Sequence, residues 1–251
     1  MSLWFNDTSA SKNGLIQECE SQVFGDNSYG RISGDPALLA TFTRYINEAL
    51  NRIVSLILTA DGRWQFDDTN NTDFPIATTN LVTTPGSEQQ DYTFDVSMLR
   101  ILRMEVLDNT GAWRKMTPID ENDIYDQSLT DFLKTPGLPV YYDKQGSSIL
   151  LYPKPLATSV TSTAGLKVWF QRPPSYFVTT DTTNKQPGFN SMYHRLAALI
   201  ASRDYAMSKG LSNAKALGDM VLQGEDSLVE NYALRSKDDH VRLSAKHYNF
   251  R

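Results

Sequence analysis

Apolar side chains recur at helical spacing in two widely separated stretches of the chain and in short alternating runs between them. Leu38, Phe42, Tyr45, Ile46, Ala49, Leu50, Ile53, Val54, Ile57 and Leu58 fall three or four apart, which predicts a helix with one buried face. Asp35-Pro36 precedes this run: Asp35 is placed to accept from the free N–H groups, and Pro36 occupies the first helical position, where a missing donor costs nothing. Asp61-Gly62 ends it. From Phe189 to Lys237 two further helical segments meet at Gly210, with Ser212 placed to cap the second. In the first, Leu196, Leu199, Ile200 and Met207 share a side, and Ala197, Ala198, Ala201 and Ala206 leave room for close backbone approach. In the second, Leu217, Met220, Val221, Leu228 and Tyr232 form a stripe interrupted by Gly218 and Gly224, each costing about 1 kcal/mol against alanine. A hairpin this small cannot bury itself, and the helix beginning at Pro36 offers the best matching face.

The period changes at Arg63. RWQF, FPIATTNLVTTP, QDYTFDV, RILRMEVLD, WRKMTPI, PVYYDK, SSILLYPKP and GLKVWFQRPP are short runs rich in β-branched and aromatic residues, divided by Asn, Asp, Gly and Pro. Asp108-Asn109-Thr110-Gly111 and Gln145-Gly146 sit where hairpin turns belong, and Asp120 to Leu133 suits one or two helical turns. The fold class is therefore α+β: a helical bundle from residues 35–62 and 189–237, an inserted antiparallel β domain at 63–188, sandwich or barrel-like, and an extended C-terminal tail at 238–251. Residues 179–188 read as the return linker. Residues 1–34 read as an N-terminal arm or as ordinary surface cover, with a short helix from about Lys12 to Phe24.

Composition narrows the function classes. The 251 residues are 40% hydrophobic with mixed charges, as in a globular protein. No run of eighteen apolar residues is present and the first residues lack the basic flank of a signal peptide, so neither a membrane span nor secretion is expected. Cys19 is the single cysteine, which excludes an internal disulfide and a cysteine-built zinc site. The net charge of −5 argues against nucleic-acid binding by the whole surface, and charge is unevenly spread: fourteen Asp and Glu face five Lys and Arg between Asp61 and Asp131.

No catalytic constellation stands out. GxSxG, GK[ST] and HExxH motifs are missing, and the histidines lack metal-ligand spacing. His194 reads as a solvated or core-edge residue, and Cys19, between Glu18 and Glu20, as a thiol with a raised pKa and no nucleophilic role. The acidic run from Asp67 to Asp73 has the oxygen ligands calcium takes but not the loop glycine or the bidentate Glu, so it reads as a solvated loop tip. No cofactor or metal is expected.

The last twelve residues, HVRLSAKHYNFR, are basic and aromatic with no acid. Val241, Arg242, Leu243, Lys246, His247, Tyr248, Phe250 and Arg251 form a candidate partner-docking segment, with aromatic anchors for pockets and cations for acidic rims. The same residues suit a phosphate backbone with stacked bases, or a plain solvated terminus.

With DPALLATFTRYINEALNRIVSLI, then RILRMEVLD and PVYYDKQGSSILLYPKP, then FNSMYHRLAALIASRDYAMSKG and this tail in order, the chain resembles the head-to-tail adaptor, or connector, proteins of tailed bacteriophages over residues 35–251. The resemblance implies a structural, non-enzymatic virion protein made in the host cytoplasm. It would form a homo-oligomeric ring, usually of twelve copies, in the neck beneath the portal protein, contact tail or nozzle proteins, and let DNA pass without specific binding. The docking role falls on residues 240–251. The rival readings are another tail or baseplate module whose β domain binds glycan or protein through Trp64, Trp113 or Trp169, and a particle-borne cell-wall hydrolase. Single tryptophans in strands are more often core residues.

Overall fold

The computed structural model describes residues 2–7, 11–25, 29–62, 76–93, 100–119, 135–146, 148–183 and 185–238. Among them are four α-helices and two four-stranded sheets, an α+β protein. The chain divides into two compact units, residues 1–72 with 174–251, and 73–173.

In the first unit, α1 spans Leu15–Phe24, α2 Pro36–Ala60, α3 His194–Lys209 and α4 Ala214–Asp238. Helix α2 has the boundaries its flanking residues dictate. Asp35 Oδ1 accepts from Ala37 N at 2.9 Å and Leu38 N at 3.3 Å, and Asp61 N closes the last turn on Ile57 O at 2.7 Å. Phe42, Ile46, Ala49, Leu50, Ile53, Val54 and Ile57 are buried along one face. Helix α3 is the centre of this unit, packing against α1, α2 and α4. Its Ala197, Ala198, Ala201 and Ala206 are fully buried, since small side chains let three helices approach one. Gly210 ends it with φ +63°, a left-handed conformation that costs glycine little.

Three details depart from the periodic reading. Met207 is 64% exposed and Met220 is also exposed, so the apolar stripes are shorter than the spacing predicts. Helix α4 starts two residues beyond Ser212: Leu217 N bonds to Asn213 O at 3.0 Å, and Asn213 Nδ2 donates to Gln22 O at 2.9 Å, tying the start of α4 to α1. Gly224 is no defect, because a β-carbon there would lie 2.8 Å from Leu196 Cδ1, whereas one at Gly218 would meet open space.

The N-terminal segment is neither a free arm nor surface cover over its described length. Leu3, Phe5, Leu15, Ile16, Cys19 and Ile32 are buried in the same core as α2, α3 and α4. Phe5 stacks on Phe177 at 4.6 Å between ring centroids, and its N–H donates to Lys185 O at 3.0 Å. Glu20, fully buried, accepts from the N–H groups of Gly30, Ile32 and Ser33 at 2.8–3.0 Å and so holds the turn leading into α2. The segment after Pro173 is fixed to α2 in turn, with the Asn47 amide both donating to Phe177 O and accepting from Phe177 N at 2.9 Å.

The second unit holds β1 (Ile76–Thr79), β2 (Asp91–Thr93), β3 (Arg100–Leu107), β4 (Trp113–Lys115), β5 (Thr117–Pro118), β6 (Tyr141–Gln145), β7 (Ser148–Tyr152) and β8 (Leu166–Gln171). Their orders are β1-β8-β3-β4 and β2-β7-β6-β5. Met104, Val106, Leu166 and Val168 from the first sheet and Tyr92, Tyr142, Ile149 and Leu151 from the second share one core. The run WRKMTPI is two strands rather than one. Met116 N bonds to Met104 O at 2.9 Å and Thr117 N to Val140 O at 3.0 Å, so the chain changes sheets around the buried Met116. The β5–β6 pairing is parallel, which the twenty-two residues between the two strands allow and a tight hairpin would not, so the pairing is not wholly antiparallel. Asp108 builds the β3–β4 turn: its Oδ1 accepts from Thr110 N and Ala112 N at 2.9 Å and its Oδ2 from Arg114 Nε at 2.8 Å, while Gly111 takes φ +82°. The turns expected over residues 120–133 lie outside the described residues.

Candidate docking and assembly surfaces

Burial gives His194 a structural role. It is 1% exposed; its Nδ1 accepts from Leu3 N at 3.1 Å, so its Nε2 carries the proton and donates to Phe189 O at 2.9 Å. Desolvation holds its pKa below the ordinary 6.5, and the neutral ring pins the first residues of the chain to the start of α3. The solvated alternative does not hold. Cys19 is buried and its thiol is pushed up to about 12, chiefly by that burial, with Glu18 and Glu20 adding to it, so it is no nucleophile at neutral pH. Among the described residues no group of three or more His, Cys, Asp or Glu is placed to hold a metal, and no helix is long and apolar enough to cross a membrane.

Charged pairs tie helix to helix rather than forming an acid–base site. The guanidinium of Arg52 on α2 grips the carboxylate of Glu225 on α4 through two bonds, 2.5 and 2.8 Å, and Arg195 on α3 reaches Glu18 on α1 at 2.7 Å. Beside α2 lies a shallow groove of about 460 Å³ lined by Thr43, Arg44, Asn47, Glu48 and Val178. Its two asparagine neighbours are already engaged, Asn47 with Phe177 and Asn51 with the Tyr176 hydroxyl at 2.8 Å.

Two of the three tryptophans named as glycan candidates stand outside the β core. Trp113 is 36% exposed and Trp169 half-buried, against the expectation that strand tryptophans are core residues. Neither enters the apolar cluster between the sheets. The reason is register: Trp169 stands opposite Arg103, and Trp113 opposite Leu107, on the face that points away from that core. The Lys167 ammonium lies 3.7 Å from the Trp113 ring centroid and 5.3 Å from that of Trp169. Trp64, the acidic run from Asp67 to Asp73, and the candidate docking residues Val241, Arg242, Leu243, Lys246, His247, Tyr248, Phe250 and Arg251 lie outside the described residues.

Over residues 14–232 the chain matches the SU10 adaptor protein family. It belongs to that family. The match takes in α1, α2, both sheets, α3 and most of α4, and it bears out the resemblance to phage head-to-tail adaptors, a structural class of virion protein. No curated protein matches the chain. What sequence reasoning missed in this adaptor is the first thirty-four residues' share in the core; the signal was the apolar set Leu3, Phe5, Leu15 and Ile16, too short to show a period.

Proposed function

We propose that this adaptor forms a ring, of twelve copies, beneath the portal of a tailed phage, joins capsid to tail and leaves a passage for DNA. It acts in the virion neck without catalysis, after synthesis in the host cytoplasm, and contacts the portal on one side and tail or nozzle proteins on the other. The observation that carries this reading is the family match over residues 14–232, which runs through helices and strands of both units. In this reading the helical unit is a bundle interrupted by an inserted β domain, and residues 240–251 dock on the portal through their aromatic and basic side chains. Charge agrees with passage rather than grip: twelve copies at −5 carry about −60, which repels phosphate. The glycan-binding alternative is weakened because Lys167 covers the Trp113 ring, where a sugar would stack.

The test is the mass of the purified chain by native mass spectrometry, alone and mixed with the portal ring from the same source. A chain that joins the portal as a stoichiometric ring is the expected result. A chain that stays separate overturns the adaptor reading.

A further inference from the structure

The outer face of the sheet β1-β8-β3-β4 is basic and aromatic in a chain whose net charge is −5. Residues opposite one another in register share a face, and here Arg103 opposes Trp169, Lys167 opposes Glu105, and Glu105 opposes Lys115. Arg100 opposes Gln171, two residues along β8 from Trp169, and so belongs to the same face. Arg100, Arg103 and Lys115 are exposed; Lys167 is half-buried against the indoles. The one carboxylate among these residues, Glu105, is buried and paired with Arg103. With Arg103 spent on Glu105, three further cations, Arg100, Lys115 and Lys167, stand without a carboxylate among these residues.

Helix α4 carries the complementary pattern. Asp219, Asp226 and Glu230 are exposed and, seven and four residues apart, form one row along the helix, which begins one turn after the exposed Lys215. Leu222, 57% exposed, and Leu234, 52% exposed, flank that row on either side. A row of carboxylates between apolar shoulders matches a flat face of guanidinium, ammonium and indole groups.

We propose that these two faces meet between neighbouring copies, α4 of one against the outer sheet face of the next. The inference rests on the ring reading above. Two different patches that recognise each other make a heterologous contact, and its repetition closes into a ring when the rotation between copies allows. Each copy carries both halves, so each takes part in two contacts. Complementary charge fixes the register of such an interface and rejects like-charged pairings.

The experiment uses two variants of the full chain mixed with the portal ring, Arg100→Glu with Lys115→Glu, and Asp219→Lys with Asp226→Lys. All four positions are exposed, so both variants should melt as the wild type does. Each variant alone should lose the ring mass, whereas an equimolar mixture should regain it, because reversed and native faces then alternate and an even-numbered ring closes. Variants that each form the ring unaided overturn the inference and leave the ring standing; so does a mixture that fails to recover. A basic-face variant that keeps the ring but loses binding to duplex DNA assigns that face to nucleic acid and overturns it too. If the wild type itself makes no ring, the adaptor reading falls first and this contact with it.

Discussion

The helical unit draws its core from both ends of the chain, whereas the β unit builds its own from about a hundred consecutive residues. In the first, Leu3 meets His194 and Phe5 meets Phe177, contacts more than 170 residues apart in sequence. In the second, a smaller apolar cluster lies between two sheets of short strands, and the outward face is left to charges and indoles. The contrast teaches where adaptation is cheap: the exposed Arg100, Lys115 and Trp113 of the outer sheet face can change without touching a core, while Phe5 lies in one core with the buried faces of α2 and α3.

The largest effect should come from Phe5→Ala. A fully buried aromatic replaced by alanine costs about 3–5 kcal/mol, which in calorimetry should lower the transition of the helical unit and leave that of the β unit in place. An unchanged scan would mean that the first residues are dispensable cover. Gly224→Ala should destabilise by about 1 kcal/mol, since the overpacking of Leu196 outweighs the gain in helix propensity. Gly218→Ala, facing open space on the same helix, should stabilise by about 0.5–1 kcal/mol in urea unfolding. Equal shifts at the two positions would remove the close approach of α3 and α4.

Acid should separate the units further. The His194 pKa is lowered from 6.5, so the unfolded chain takes up a proton that the folded one refuses, and the helical unit should lose stability as pH falls below about 6.5. Asp108 has its carboxyl held well below the usual 3.8 by the Thr110 hydroxyl first and then by Arg114. Its contribution is complete above about pH 4 and is lost as pH falls through the folded value, so the β unit should weaken only below about pH 4. Melting curves between pH 8 and 3, followed through tryptophan fluorescence, should show the helical transition moving first; simultaneous movement would break the distinction. The smallest effect on stability belongs to deletion of residues 240–251, which should abolish binding to the portal while leaving the melting temperature of the isolated chain nearly unchanged.

How legible each part was follows from the same physics. Helix α2 could be read residue by residue because Asp35-Pro36 and Asp61-Gly62 bracket ten apolar positions at one period. The hairpin turns were legible at Asp108–Gly111 and Gln145-Gly146, where glycine takes a positive φ. Leu3 and Phe5 were not, since their partners His194 and Phe177 are remote and no local pattern announces them. Nor did alternation mark the change of sheet at Met116, because two short strands in one line look like a single strand. Trp169 was misread toward the core because an indole on a flat charged face can be half covered by Lys167 and Arg103 instead of by apolar neighbours. Of the candidate site, the sequence reading named the tail at residues 240–251 but not the outer sheet face, whose cations are scattered from Arg100 to Lys167 and converge only through strand pairing.

The bond from Leu3 to His194 also sets a timetable for synthesis. On the ribosome the N-terminal residues, α1 and α2 emerge first, yet the helix they pack around is translated more than 130 residues later. At about 5–20 residues per second, α2 waits on the order of ten seconds with its apolar face uncovered. The β unit, whose strands are complete by Gln171, can close during that interval. The β unit can thus be finished while the helical unit is still incomplete, and the apolar face of α2 stays uncovered until α3 follows.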